Sequence, residues 1–216
     1  MIEVPVAIIG AGGHARVVLQ ALRTMHVTVV ALTDLHPENF PDGLDGCAVI
    51  SDDELVRRYS CDEVMLACGV GSITAATEDQ LRRRIVRRFE GQGYRSAQIL
   101  HSNACIADTV SLAPGVQIHA GAVVQPGVTL DEHVIINTGA TVDHDCRIGP
   151  FAHLAPGVTL SGNVTVHEGA HIGTGANVIQ GITIGRFAIV AAGACVVRDV
   201  AANTVVMGVP ARPKGR

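Results

Sequence analysis

Apolar and polar positions follow two different rhythms along this chain. Over the first hundred residues, short apolar runs alternate with amphipathic stretches. Val6 to Ile9 and Val27 to Thr33 read as buried strands. Between them lies a helix from Gly13 to Arg23 with Val17, Val18, Ala21 and Leu22 on its apolar face. Asp52-Asp53-Glu54 opens a short helix, with its acids at the positive end of the dipole. Glu63 to Ala67 is a further strand, Thr74 to Glu90 a long arginine-rich helix, and Ala97 to Leu100 a last strand. Strand–helix alternation predicts a parallel sheet with helices on its faces, a small Rossmann-like α/β domain over residues 1–99.

From Leu100 the rhythm becomes six. Every sixth residue from Leu100 to Val196 is Leu, Ile or Val, in 17 positions of 17. The fifth place of each hexad, as at Ala104, Val110 and Val116, is small or aliphatic too. Six is a multiple of the strand period and not of the helical one, so these residues are not helical. Three hexads make one triangular coil of 18 residues, and the first-place aliphatic of each points inward onto its counterpart one coil away. Residues 100–216 are therefore predicted to form a parallel β-helix of nearly six coils.

Composition locates this change of rhythm independently. Residues 1–99 hold 23 charged side chains and residues 100–216 only 13. Aromatics are 3% of the chain, there is no Trp, and glycines number 24, as a narrow prism with tight corners requires. A hydrophobic share of 48% excludes a disordered chain. No apolar run approaches the ~20 residues of a membrane span, so no membrane insertion is expected. A net charge of −4 argues against nucleic-acid binding. Six scattered cysteines without a CxxC pair read as reduced thiols, not as a disulfide frame or zinc site. Met1 to Pro5 carries no basic segment of a signal peptide, so a cytoplasmic location is expected.

The α/β half carries a phosphate-binding pattern. Gly10-Ala11-Gly12-Gly13-His14-Ala15 fits GxGxxA between a strand and a helix. Gly10, Gly12 and Gly13 permit a tight turn and bring phosphate close to the helix N-terminus, with His14 placed to touch it. Asp34 ends the second strand, where an acid binds a ribose. The short domain is one mononucleotide half, which favours a nucleoside diphosphate over NAD. Gly69, in Cys68-Gly69-Val70-Gly71 after another strand, is expected to form a second wall of the pocket. Arg82, Arg83, Arg84, Arg87 and Arg88 read as one solvated helix face balanced by Glu78, Asp79 and Glu90.

Three segments carry a family resemblance. Ile8 to Val18, Ile136-Asn137-Thr138-Gly139-Ala140-Thr141-Val142-Asp143-His144-Asp145-Cys146, and Met207 to Arg212 resemble the opening, catalytic coil and terminus of a known family. That family is the sugar O-/N-acetyltransferases among the hexapeptide-repeat acyltransferases, of the kind acting in sialic acid, bacillosamine and perosamine pathways. The resemblance implies a left-handed β-helix. It also implies acetyl transfer from acetyl-CoA to the amine of a nucleotide-linked 4-amino-deoxy sugar for surface glycans. His144 is then the general base and Asp145 its orienting acid, with Asp143 a solvated neighbour. His153 matches a second family histidine that contacts donor or acceptor. It follows His144 by nine residues, half a coil, so the two face different sides of one prism. They share a site only across subunits, which predicts a homotrimer. Gly162, one coil above His144, is expected to admit acetyl-CoA and offer its N–H to the thioester oxygen. Gly173, Thr174, Ala192 and Gly193 are expected to line the pantetheine groove, and Arg212 and Lys214 to meet the phosphates of CoA.

Three alternatives remain at this stage. One is O-acetylation of a sialic-acid-like sugar. Another is a non-catalytic scaffold or nucleotide-sugar sensor. The third is a γ-type carbonic anhydrase, whose prism uses an HxxxxH spacing. No two histidines here are five apart, and no metal is expected.

Overall fold

Val6 to Ile9, wholly apolar and buried, forms the central strand β1 of the first half. In chain order there follow α1 (Gly13–Thr24), β2 (Val29–Thr33), β3 (Val49–Ile50), α2 (Asp52–Arg58), β4 (Met65–Cys68) and α3 (Leu81–Glu90). The computed structural model describes residues 4–71 and 81–214. Contacts divide them into two units, the first ending at Ser102 and the second beginning at Asn103.

In the first unit the strands pair in parallel in the order β3-β2-β1-β4. Sequence order reverses beside β1, and the crevice outside the strand ends at such a switch point is where α/β folds bind ligands. The second strand starts at Val29, later than its apolar run suggested, and the short β3 had no sequence signal. Helix α2 starts where its acids are, and its cap Ser51 accepts the Glu54 N–H at 3.2 Å. Helix α1 buries Ala15, Val18, Leu19 and Leu22, an i, i+3, i+4, i+7 stripe. Val17 is 39% exposed, which corrects its expected place on the apolar face; that face is rotated toward Ala15 and Leu19. The expected start of α3, from Thr74 onward, lies outside the described residues.

The arginines of α3 do not share one face, because three consecutive residues spread around a helix at ~100° steps. Arg82 is buried with Val86 and Phe89, and burial pulls its pKa down to about 10. Arg84 and Arg88 turn to a cavity described below. Only part of the cluster is the solvated face expected from sequence.

The second unit repeats two-residue strands every six residues. Its first face stacks Gln117–Ile118, Ile135–Ile136, His153–Leu154, His171–Ile172, Ile189–Val190 and Val205–Met207. The second face runs from Cys105–Ile106 to Cys195–Val196 and the third from Ser111–Leu112 to Thr183–Ile184. All these neighbours pair in parallel with a register of 18 residues up to Val196, as Ile136 with Leu154 and Leu154 with Ile172. From Ile118 to Val196 every first-place aliphatic is at most 2% exposed. Each such side chain contributes roughly 1.5–3 kcal/mol by leaving water. Arg212–Pro213 then turns back antiparallel onto Val205–Met207, a closing hairpin that the period does not announce.

Candidate active site

His144 and Asp145 stand at the corner between the second and third faces, just beyond Thr141–Val142. The corner needs left-handed backbone: Asp145 has φ +59°, and Gly127 and Asn163, one coil either side, have +76° and +59°. Asp and Asn tolerate this region as few other side chains do. The turn also places the Asp145 carboxylate beside the imidazole, where Oδ2 accepts the His144 Nδ1–H at 2.8 Å. That bond fixes the proton on Nδ1 and leaves Nε2 as the basic nitrogen. Asp143 is more than a solvated neighbour, since its Oδ1 accepts the His144 backbone N–H at 2.8 Å and pins the turn. The hydrogen bond donated to Asp145 is the main cause raising the His144 pKa above its ordinary 6.5. The charges of Asp143 and Asp145 add to it, while desolvation opposes it. The His144 side chain remains 57% exposed.

Gly162 lies one coil above, and the His144 ring occupies the space its side chain would fill. A Cβ there would stand 2.5 Å from Nε2. The glycine therefore seats the imidazole. At the end of the same corner, Cys146 has its thiol turned to the Ser161 carbonyl, and burial pushes its pKa up to about 11, which keeps it protonated.

His153 stands on the first face, away from the corner that carries His144. It is buried, its Nε2 lies 3.2 Å from the Asn137 amide nitrogen, and its ring meets that of His171 edge-on at 5.1 Å. Sequence reasoning missed both partners, although Asn137 is in the quoted catalytic coil and His171 lies one coil beyond His153.

Of the expected cofactor residues, Gly173, Thr174, Ala192 and Gly193 flank the second face on its other side. Gly173 follows a first-face strand, and a Cβ there would meet Ala192 N at 2.6 Å, so this glycine lets the next coil's backbone close in. Gly193 faces open space, as do Gly139, Gly157 and Gly175 in the same corner column. Thr174 and Ala192 lie in these same corners. Arg212 is exposed on the closing hairpin and lines a cavity of about 240 Å³ with Arg198, which the sequence reading did not select. Lys214 is exposed at the end of that hairpin, and its backbone N–H reaches Val205 O at 2.7 Å.

In the first unit, the carboxyl ends of β1, β2 and β4 open into a cavity of about 490 Å³. Gly10, Gly12, Gly13, His14, Asp34 and Gly69 all line it. Their roles differ. Gly10 has φ +97°, which turns the chain from β1 toward α1. Gly12 and Gly13 leave open space where side chains would be. At Gly69 a Cβ would stand 2.8 Å from Ala15 Cβ and Ile8 Cγ2, so that glycine serves strand–helix packing. Helix α1 has no side-chain cap and no acid in its first turn. Asp34 uses Oδ1 to accept the His36 N–H at 3.0 Å. The side chains of Arg84 and Arg88 were not foreseen here.

All six cysteines are free. Among the described residues, no group of three His, Cys, Asp or Glu side chains is placed to hold a metal. No described helix is long and apolar enough to cross a membrane.

A mononucleotide-type domain joined to a coil of hexapeptides that carries a paired His and Asp defines a hexapeptide-repeat acyltransferase. Comparison with known proteins agrees. The PglD N-terminal domain family matches residues 5–89. PerB from Caulobacter crescentus, solved in complex with CoA and GDP-perosamine, is similar at 37% identity. The match covers 99% of this chain and 98% of that one, with a TM-score of 0.89. The acetyltransferase domain of PglB from Neisseria gonorrhoeae FA1090, solved with acetyl coenzyme A, is 33% identical over 97% and 98%, with a TM-score of 0.89. WeeI from Acinetobacter baumannii AYE, at 24% identity over 98% of this chain and 100% of that one, shares the fold with a TM-score of 0.81. No curated protein matches the chain. The chain belongs to the sugar N-acetyltransferases of the hexapeptide-repeat family, acetyl-CoA-dependent enzymes built on a left-handed β-helix.

Proposed function

We propose that this enzyme acetylates the amine of a nucleotide-linked 4-amino-deoxy sugar, with His144 as general base. The observation that carries the reading is the 2.8 Å bond from His144 Nδ1 to Asp145 on an exposed corner. In the neutral ring it leaves Nε2 as the bare nitrogen, and that nitrogen is reachable. Acetyl-CoA supplies the acetyl group as a thioester. The acceptor nitrogen attacks the thioester carbonyl and loses a proton to Nε2 as the amide bond forms; the C–S bond breaks, and the imidazolium returns that proton to the leaving CoA thiolate. Asp145 keeps the ring in one tautomer and balances the imidazolium, as the acid of a triad does. Seating on Gly162 holds the ring against the prism. In support, PerB was solved with CoA and GDP-perosamine, and two structures of that Caulobacter perosamine N-acetyltransferase carry a histidine replaced by asparagine or alanine.

We assign the nucleotide to the 490 Å³ cavity of the first unit. Thr174, Ala192 and Gly193, with the basic hairpin of Arg212 and Lys214, are assigned to CoA. Because His144 stands at the corner between the second and third faces and His153 on the first, joint action requires a neighbouring copy, and we assign the enzyme as a homotrimer with sites between subunits. The direct test is to incubate the protein with acetyl-CoA and a panel of nucleotide-linked 4-amino sugars and follow product mass. N-acetylation of at least one is expected. His144→Ala should lower the rate by about 10²–10⁴-fold while acetyl-CoA binding is retained. Acetylation of hydroxyl acceptors alone, or transfer undiminished in His144→Ala, would overturn the assignment.

A further inference from the structure

The assigned site holds two histidines, and their hydrogen bonds make them chemically unlike. His144 donates from Nδ1 to Asp145, which leaves Nε2 as its bare nitrogen. His153 has an amide for a neighbour instead, with its Nε2 3.2 Å from Asn137 Nδ2. Which end of that amide faces the ring is decided on its other side. The backbone N–H of Thr138 can only donate, and it donates to Asn137 Oδ1 at 2.8 Å. The Thr138 hydroxyl points to the same oxygen at 3.4 Å. Oδ1 is therefore turned to Thr138, and the amide's NH2 group is turned to His153. An amide NH2 donates and does not accept. Nε2 of His153 is then an acceptor, which places the ring proton on Nδ1. A doubly protonated ring would set an N–H against the amide hydrogens.

The arrangement follows from the coil. Asn137 directly follows Ile135–Ile136, and that strand pairs in register with His153–Leu154, so the two side chains come from neighbouring coils. The next coil adds His171, in register with His153, whose ring it meets edge-on at 5.1 Å. Resting on the reading of His153 as a site residue, we infer that Asn137 is a positioning residue that holds His153 as the neutral Nδ1–H tautomer. The two histidines then divide the work. His144 keeps its bare nitrogen for the amine proton. His153 keeps its own on Asn137 and acts as a neutral hydrogen-bonding group, not as a second base.

Nitrogen NMR of the full-length protein with isotope-labelled histidine tests this, the His153 signals being assigned by their loss in His153→Gln. In the wild type, Nδ1 of His153 should resonate as a protonated nitrogen and Nε2 as a bare one. Asn137→Asp keeps the size of the side chain and an oxygen for Thr138, but offers Nε2 an acceptor in place of a donor. It should put a proton on Nε2, and kcat should fall by about tenfold or more, as a wrong tautomer costs activity. Asn137→Ala removes the amide and should leave the two tautomers of His153 mixed. A proton on Nε2 in the wild type overturns the inference. Proton placement unmoved in both variants overturns the positioning role of Asn137 and leaves the place of His153 in the site standing. Placement that moves with kcat unchanged upholds the hold of Asn137 on the ring and overturns His153 as a site residue.

Discussion

At the scale of single residues, the corner at His144 has two demands on it. Its backbone needs left-handed residues at Gly127, Asp145 and Asn163, and the proposed chemistry needs an acid beside an imidazole. Asp145 meets both. Asp145→Asn keeps the backbone and removes the charge, so it separates the two. With His144 as the proposed base, its raised pKa is expected to set the acid limb of kcat/KM, activity being lost as Nε2 becomes protonated. Asp145→Asn removes the main cause of that rise, so the limb should move to lower pH while kcat falls; a pH–rate profile reads both. A limb that stays in place would mean that Asp145 does not set the titration. Gly162→Ala is the complementary test. The Cβ would press on the far end of a movable ring, so the protein should melt within about 0.5 kcal/mol of wild type. The ring must nevertheless leave its seat, and kcat should drop by about 10²-fold.

At the scale of elements, the two halves announce themselves unequally. The hexads are legible in full, because each inward aliphatic stacks on its counterparts 18 residues away, three hexads on. The inward column should therefore be costly to empty. Leu154→Ala, at 0% exposure, should destabilise by about 2–5 kcal/mol, and the exposed Thr159→Ala on the second face by less than about 0.5 kcal/mol. Denaturant titration compares them. The helices of the first half were legible in position but not in rotation. Apolar residues at Val17, Val18 and Leu19 allow two stripes, and packing on the sheet selects the one containing Ala15 and Leu19. The arginine run of α3 misled for the same reason. Charge alone reads as solvent-facing, while the helix sends Arg82 into the core and Arg84 to the cavity.

At the scale of the whole molecule, the assignment of a shared site makes a quantitative demand. His144 stands at a corner and His153 on the face across the prism from it, so each site would take one from each of two copies. His144→Ala and His153→Ala chains, inactive alone, should then regain activity when co-assembled. Random mixing in a ring of three gives about one quarter of sites with both histidines intact. Sedimentation should show the trimer. No recovery in verified mixed trimers would place both functions within one subunit.

The sequence by itself determined the β-helix, the GxGxxA turn and the adjacency of His144 and Asp145. Each is a local or periodic pattern whose geometry follows from backbone rules within one turn or one coil. Only the tertiary structure decided which glycines seat a ring, which admit a neighbouring backbone and which leave open space. It alone gathered the ends of β1, β2 and β4 with Arg84 around one cavity. Those outcomes depend on which surfaces approach across long sequence separations, and packing, not periodicity, settles that.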